Sequence, residues 1–412
     1  MTPRLDSPLT LPCGQILENR LAKSAMSERL AEPDGAPNSG HLRLYETWAR
    51  GGTGLIITGN VMVDRRAIGE SGNVIVEDDR YLPALRAWAA AGRRDGAKLW
   101  MQINHPGRQV LRHLSSEPVA PSAIGVKVGL PIFAPPRALS GDEVEAIVQR
   151  FATTAAIAER AGFDGVQIHG AHGYLISQFL SPRTNQRDDA WGGDAERRRR
   201  FLLAILDAVR GAVSPDFAVG LKLNSADFQR GGFSEEDSMA VLDALADRGL
   251  DLLEISGGTY ESAAMFEETV PQHDSSKRRE AFFLDYAEKA RARATMPILV
   301  TGGFRTAAAM QEALDSGALD VIGMARPLAV EPDLSARLLS GEATSARPIQ
   351  LATGVKEIDG FIQAAWYQTQ IERAATGEAP DPELSRVLAA IRYLGPRTRF
   401  DGVDARRGGS GR

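Results

Sequence analysis

A chain of 412 residues exceeds the soft prior of ~150 residues per domain, although a single α/β barrel of ~250 residues with insertions can reach this size. Hydrophobic residues at 43% and charged residues at 25% suit a soluble globular protein, and a formal net charge of −5 offers no basic field for nucleic acid. Cys13 is the only cysteine, so no intramolecular disulfide can form. Met1 to Asp6 has no apolar signal core and no run approaches the ~18 apolar residues of a membrane span, so the chain is expected to be cytoplasmic.

In chain order, Leu9–Leu17 reads as a short hairpin closing a barrel floor. Apolar or β-branched runs then predict eight strands: Leu21–Ala25, Gly54–Thr58, Lys98–Ile103, Gly165–His169, Ala218–Leu223, Leu252–Ser256, Ile298–Thr301 and Val321–Met324. Helical patterns alternate with them over His41–Arg50, Leu82–Asp95, Asp142–Ala161, Glu196–Val213, Glu235–Arg248, Leu284–Ala294 and Thr306–Ser316. Ser140 and Ser234 are placed as N-caps, and Gly162, Gly249 and Gly317 as left-handed stops. The basic run Arg197–Arg200 follows Asp194 and Glu196 at a helix start and reads as a solvated face.

Two connections break the rhythm. Residues 104–139 follow the third strand and residues 257–283 the sixth; loops of this length at the carboxyl ends of strands should roof one site. After Pro348 a helix is expected over Glu357–Ala375, followed by a frayed Pro/Gly/Arg-rich end. The expected division is a barrel over residues 1–345 and a C-terminal helical extension with a flexible tail over 346–412. Alternating β and α units, with no Gly-x-Gly-x-x-Gly after a first strand and no Walker-type Gly-Lys-Ser/Thr, favour a (β/α)8 TIM barrel over a doubly wound sheet.

The densest chemistry is His169-Gly170-Ala171-His172-Gly173-Tyr174, directly after the fourth predicted strand. Two imidazoles three residues apart can set two N–H donors on one substrate oxygen, and a phenol with an ordinary pKa near ~10 can supply a proton. A metal pair, a structural histidine beside an active one, and an amphipathic core role for Tyr174 stand as the competing readings. Thr301-Gly302-Gly303-Phe304 and Ile322-Gly323-Met324-Ala325-Arg326 follow the last two strands, the usual phosphate position of such a barrel. Gly-Gly alone could equally be a plain turn, and Lys222 an exposed strand-end lysine.

The continuation Ile176 to Arg187 with Trp191-Gly192-Gly193 resembles the old yellow enzyme family of flavin-dependent ene-reductases. The resemblance recurs at Asn19-Arg20, at Gln102-Ile103-Asn104-His105-Pro106-Gly107-Arg108, and in both glycine elements, from about residue 8 to about residue 340. It implies non-covalent FMN across the barrel mouth, with its phosphate at Gly302, Gly303, Gly323, Ala325 and Arg326. Gln102 would meet the flavin pyrimidine edge, Ala25, Met26 and Asn60 would contact the ring, Ser27 would lie near N5–O4, and Lys222 beside N1 and C2=O. His169 and His172 would hold the substrate oxygen and Tyr174 would protonate the α carbon. NADH or NADPH would serve as transient hydride donor in a ping-pong reduction of enones, enals or nitroalkenes.

The chain departs from many relatives in carrying Lys222 for arginine and Ala25 for proline. His105 and Arg108 are expected to anchor their loop. Cys13 alone cannot ligate an iron–sulfur cluster, and the chain is expected to lack the second nucleotide domain of the larger branches. No metal, nucleic acid or membrane is expected as a partner, and a homodimer is one open oligomeric state. The rival functions are a flavin-independent barrel lyase or aldolase and a non-catalytic flavin-binding protein.

Overall fold

The computed structural model describes residues 3–127, 131–257, 284–353, 356–395 and 397–403. The strands, in chain order, are β1 (Leu9–Thr10), β2 (Ile16–Leu17), β3 (Leu21–Lys23), β4 (Leu55–Ile57), β5 (Val61–Met62), β6 (Lys98–Asn104), β7 (Val119–Ala120), β8 (Arg137–Ala138), β9 (Gly165–Gly170), β10 (Ala218–Asn224), β11 (Leu252–Ser256), β12 (Ile298–Thr301) and β13 (Val321–Met324). Parallel pairing runs β4-β3-β13-β12-β11-β10-β9-β6, and β4 also pairs with β6, which closes the ring as a (β/α)8 barrel. The two-residue β5 adds to the upper end of β6.

Helices α1 (Ser39–Arg50), α2 (Leu82–Gly92), α3 (Gly141–Ala161), α4 (Leu175–Leu180), α5 (Ala195–Ala212), α6 (Glu235–Leu245), α7 (284–291) and α8 (Ala307–Asp315) lie in the intervening connections. Ser140 and Ser234 form capping boxes with Glu143 and Asp237, and Gly162 stops α3 in the left-handed region. Predicted and observed elements agree in order and type and differ at their ends. The helix predicted to Arg248 stops at Leu245 and the one predicted to Asp95 stops at Gly92. The long connection after β11 falls almost wholly on residues 258–283, outside the described residues.

Alternation sorts each strand into an outward set packed on helices and an inward set. The lower inward set is apolar: Ala22, Leu55, Ile57, Trp100, Ala218, Leu252, Leu299 and Val321 cluster with Leu11 and Leu17 of the β1–β2 hairpin, which seals the floor. The Trp100 indole fills the space beside Gly165 and Gly220, where an added Cβ would lie 2.8 Å and 2.6 Å from the ring. Gln15 ties the hairpin down by donating to the carbonyls of Asp164 and Asp216 at 2.6 and 2.8 Å.

A repeated device staples the bottom edge. Asn19, Asp164, Asp251 and Asp320 precede β3, β9, β11 and β13. Their side chains accept the backbone N–H of Gly54, Leu99, Val219 and Ile298 on the neighbouring segment at 3.2, 2.9, 2.7 and 2.8 Å. These bonds satisfy backbone donors at the ends of the ladders, and Gly54 N–H also donates to the Leu21 carbonyl at 3.0 Å.

Beyond the barrel lie α9 (Arg326–Val330), α10 (Leu334–Ser340), α11 (Lys356–Thr376) and α12 (Arg386–Leu394). α11 packs on α1 and α9, and Val330, Leu351, Trp366, Leu384 and Ala389 form a small core of their own. Of the end expected to fray, residues 397–403 are described and 404–412 lie outside the described residues. Asn38 bridges Gly402, Ser39 N–H donates to the Asp401 carbonyl at 3.0 Å, and Arg397 donates to the Ala31 carbonyl at 2.9 Å. Pro/Gly/Arg composition reads as loose by itself, but α1 offers this segment unpaired backbone to bond. No described helix is long and apolar enough to cross a membrane.

Candidate active site at the carboxyl ends of the strands

His169 ends the inward set of β9, and the chain then turns sharply. His172 takes a left-handed φ of 60° followed by Gly173 at 76°, and Tyr174 caps α4. A non-glycine residue held in that region is strained and must be fixed by its surroundings. Here Asn224 Oδ1 accepts the His172 N–H at 3.2 Å and Gln109 Nε2 donates to its carbonyl at 3.1 Å. The turn gathers three rings. His169 and His172 stand 5.2 Å apart between centroids at 85°, and His169 and Tyr174 4.9 Å apart at 74°.

The surroundings of both imidazoles favour the neutral form. The Ala171 N–H donates to His169 Nδ1 at 3.3 Å, which leaves the ring proton on Nε2. His172 Nε2 lies 2.7 Å from Ser256 Oγ. Burial, then His172 and Lys222 for His169 and Lys222 for His172, hold both well below the usual histidine range. His105 and Arg108 anchor the loop after β6. Gly107 N–H donates to His105 Nδ1 at 3.1 Å, the His105 carbonyl accepts Leu175 N–H at 3.0 Å, and Arg108 donates to the Gly125 carbonyl at 2.9 Å.

Above the apolar floor the inward set turns polar. Gln102 Nε2 donates to Gln167 Oε1 at 2.8 Å and Gln167 Nε2 to Glu254 Oε2 at 2.7 Å. Glu254 Oε1 also receives Lys222 Nζ at 2.8 Å and Thr301 Oγ1 at 2.7 Å, and Thr301 meets Ser24 Oγ at 2.6 Å. Burial pushes the Glu254 carboxyl up, but Lys222 and the two hydrogen-bond donors outweigh it and hold the group below its ordinary range. Gln167 and Glu254 escaped the sequence reading. Their signal was a polar residue inside an otherwise apolar strand, placed inward by alternation.

The predicted cofactor residues surround this layer. Ala25, Met26 and Ser27 are partly exposed after β3, and Ser27 donates to Glu70. Their loop is braced from beneath by buried Lys23, whose Nζ reaches the Ile57 carbonyl at 2.8 Å and Glu28 at 3.6 Å. Glu28 also accepts from Tyr45 and from Gly59 N–H. Burial, opposed by Glu28, lowers the Lys23 amine to about 8. Asn60 follows β4, with its Oδ1 accepting from Asn73 at 3.3 Å.

Opposite, β12 and β13 run in register Thr301↔Gly323, so their following loops lie side by side. Gly302 and Gly303 adopt φ of 136° and 86°, which a side chain would strain. Arg326, partly exposed, donates to Gln363 Oε1 at 3.0 Å. Two amides here are buried with atoms lacking a partner among the described residues: Asn104 at both Oδ1 and Nδ2, on the same face of β6 as Gln102, and Gln363 at Nε2 beside Arg326. A planar hydrogen-bonding ring over the mouth and a phosphate at the Arg326 side suit this distribution of donors, so the residues present fit FMN. Among the described residues no three His, Cys, Asp or Glu side chains form a metal-binding group.

A sequence model described as the NADH:flavin oxidoreductase / NADH oxidase family matches residues 5–345. The chain is similar to "NADH-dependent flavin oxidoreductase iliE" of Hypocrea jecorina, 40% identical over 349 residues that cover 79% of this chain and 86% of the relative. It is also similar to "NADH oxidase" of Thermoanaerobacter brockii, 32% identical over 81% of this chain and about half (50%) of that longer relative. Among solved structures it resembles "Morphinone reductase" at a TM-score of 0.71 and 27% identity, covering 86% of this chain and 93% of that one. The old yellow enzyme homologue from Zymomonas mobilis aligns at a TM-score of 0.72 and 25% identity, over 84% and 95% of the two chains. The cofactor is FMN with NAD(P)H as hydride donor, and the chain belongs to the NADH:flavin oxidoreductase / NADH oxidase family, of old yellow enzyme type.

Proposed function

We propose that the protein is an ene-reductase that uses NAD(P)H to reduce the activated C=C bond of α,β-unsaturated carbonyl or nitro compounds, the two substrates alternating at one site. When bound, FMN would supply the hydride chemistry that links NAD(P)H to the β carbon of the alkene. The reading rests on the cluster of His169, His172 and Tyr174 at the end of β9. His169, through Nε2–H, and His172 hold the substrate oxygen, and as neutral imidazoles they stabilise its growing negative charge without becoming acids themselves. Tyr174 gives its phenolic proton to the α carbon. Gln102 and Lys222 orient the flavin pyrimidine edge, Ala25, Met26, Ser27 and Asn60 border the ring, and Gly302, Gly303, Gly323, Ala325 and Arg326 hold the phosphate.

Tyr174→Phe tests the assignment by separating the half-reactions. Anaerobic stopped-flow should find flavin reduction by NADH near the native rate, because that step needs no protein acid. Reoxidation by a simple enone should slow by ~10²–10⁴-fold. Reoxidation by a nitroalkene should survive, because its nitronate is stable enough to leave unprotonated. Equal slowing of both halves would make Tyr174 a packing residue.

A further inference from the structure

Glu254 has a position that orienting Lys222 alone does not require. It is 0% exposed, Lys222 is 4% exposed, and the two are register partners on adjacent strands with Nζ 2.8 Å from Oε1. Thr301 and Gln167 complete its shell at 2.7 Å each, so both carboxylate oxygens are engaged. The chain of bonds then reaches Gln102 through Gln167 and Ser24 through Thr301. Its members come from β6, β9, β10, β11, β12 and the segment after β3, so it crosses the barrel. On β13 the register position is Gly323, where an added Cβ would stand 2.0 Å from Thr301 Oγ1 and 2.7 Å from Ser24 Oγ. A glycine there leaves the bridge room to form.

A lone lysine and a lysine paired with a carboxylate present different fields. The first acts as a unit charge through a low-dielectric interior, and the second as a dipole whose field falls off faster. Any group lying against Lys222 therefore meets a charge set by Glu254. Resting on the reading above that Lys222 faces the flavin pyrimidine, we propose that Glu254 is a positioning residue that damps the charge of Lys222 and so holds down the flavin's affinity for electrons. Gln102, the other pyrimidine contact, is tied to the same carboxylate through Gln167. One acidic group thus orients both contacts and neutralises one of them.

The test uses the FMN-loaded protein and sulfite, whose adduct places negative charge on the flavin pyrimidine, at pH 6.5. An amine keeps most of its proton there even if burial lowers its pKa by ~3 units. Glu254→Gln, of equal size, should bind sulfite at least tenfold more tightly. The matching rise in two-electron midpoint potential is about 30 mV per tenfold. Lys222→Met should bind sulfite at least tenfold more weakly, and adding Glu254→Gln to it should change little further, because a buried carboxyl left without Lys222 takes up a proton and carries no charge.

Glu254→Asp, which draws the carboxylate back by one methylene, should fall between wild type and Glu254→Gln and carries the test should the latter not fold. Unchanged or weaker sulfite binding in Glu254→Gln, or wild-type affinity in Glu254→Asp, would overturn the damping role. A full Glu254→Gln effect that persists without Lys222 would overturn it too. Unchanged affinity in Lys222→Met would instead remove Lys222 from the flavin and defeat the reading beneath.

Discussion

The lower and upper halves of the barrel interior are made by the same strands at positions two residues apart, yet their chemistry is opposite. Trp100 gives way to Gln102 on β6, Leu252 to Glu254 on β11, and Leu299 to Thr301 on β12. Below, shape alone is satisfied, with one indole against two glycines. Above, every buried polar group brings a desolvation cost that only a partner can offset. The lower half therefore serves stability and the upper half carries the polar groups of the proposed site, and the division can be tested from either side.

The largest expected effect lies below. Trp100→Ala should cost ~3–5 kcal/mol of stability, as truncation of a large buried aromatic does, and should lower the melting temperature while the folded fraction keeps its flavin spectrum. A changed spectrum would mean that the halves are not separable. At the opposite end, His169→Ala with His172→Ala should leave folding and flavin in place. It should slow enone reduction by ~10²–10³-fold, the usual loss when oxyanion donors go, and weaken phenolic ligands. Full activity in the double variant would take the oxygen from these rings.

Arg326→Ala probes the rim. A charge-assisted hydrogen bond contributes ~1.5–3 kcal/mol, so FMN affinity should fall by roughly ten- to a hundredfold. Equilibrium dialysis showing unchanged affinity would place the phosphate elsewhere.

The smallest effect per group comes from acid. Burial lowers His41 to about 3 and His105 to about 4, and holds His169 and His172 well below their ordinary value. These folded pKa values lie under the unfolded ~6.5, so the unfolded chain takes up protons first as the pH falls. Stability is complete above ~6.5 and is lost below it, by up to about 1.4 kcal/mol per pH unit for each imidazole. Thermal melts at pH 7.5 and 5.5 should differ accordingly. Equal melting temperatures would mean that the folded protein accepts these protons.

The sequence by itself determined the order and type of the elements, because apolar runs of strand length alternate with amphipathic helical stretches and carry caps such as Ser140 and Ser234. It also supplied His169, His172, Tyr174 and the glycine pair at the strand ends, because those residue types stand out where a barrel puts its ligands, and the family resemblance added Lys222. Element ends slipped by a few residues: α6 stops at Leu245, four residues before Gly249. Tertiary structure alone decided which inward residues touch. Glu254 sits in an ordinary strand until β10 and β11 set it beside Lys222, and Gln167 is unremarked until β6 brings Gln102 alongside and Glu254 reaches it from β11, one strand beyond β10. Residues 397–403 look loose until Ala31, Asn38 and the start of α1 receive them. Composition and periodicity report which face a residue takes, whereas the partner that satisfies a buried charge is chosen by register across strands distant in sequence.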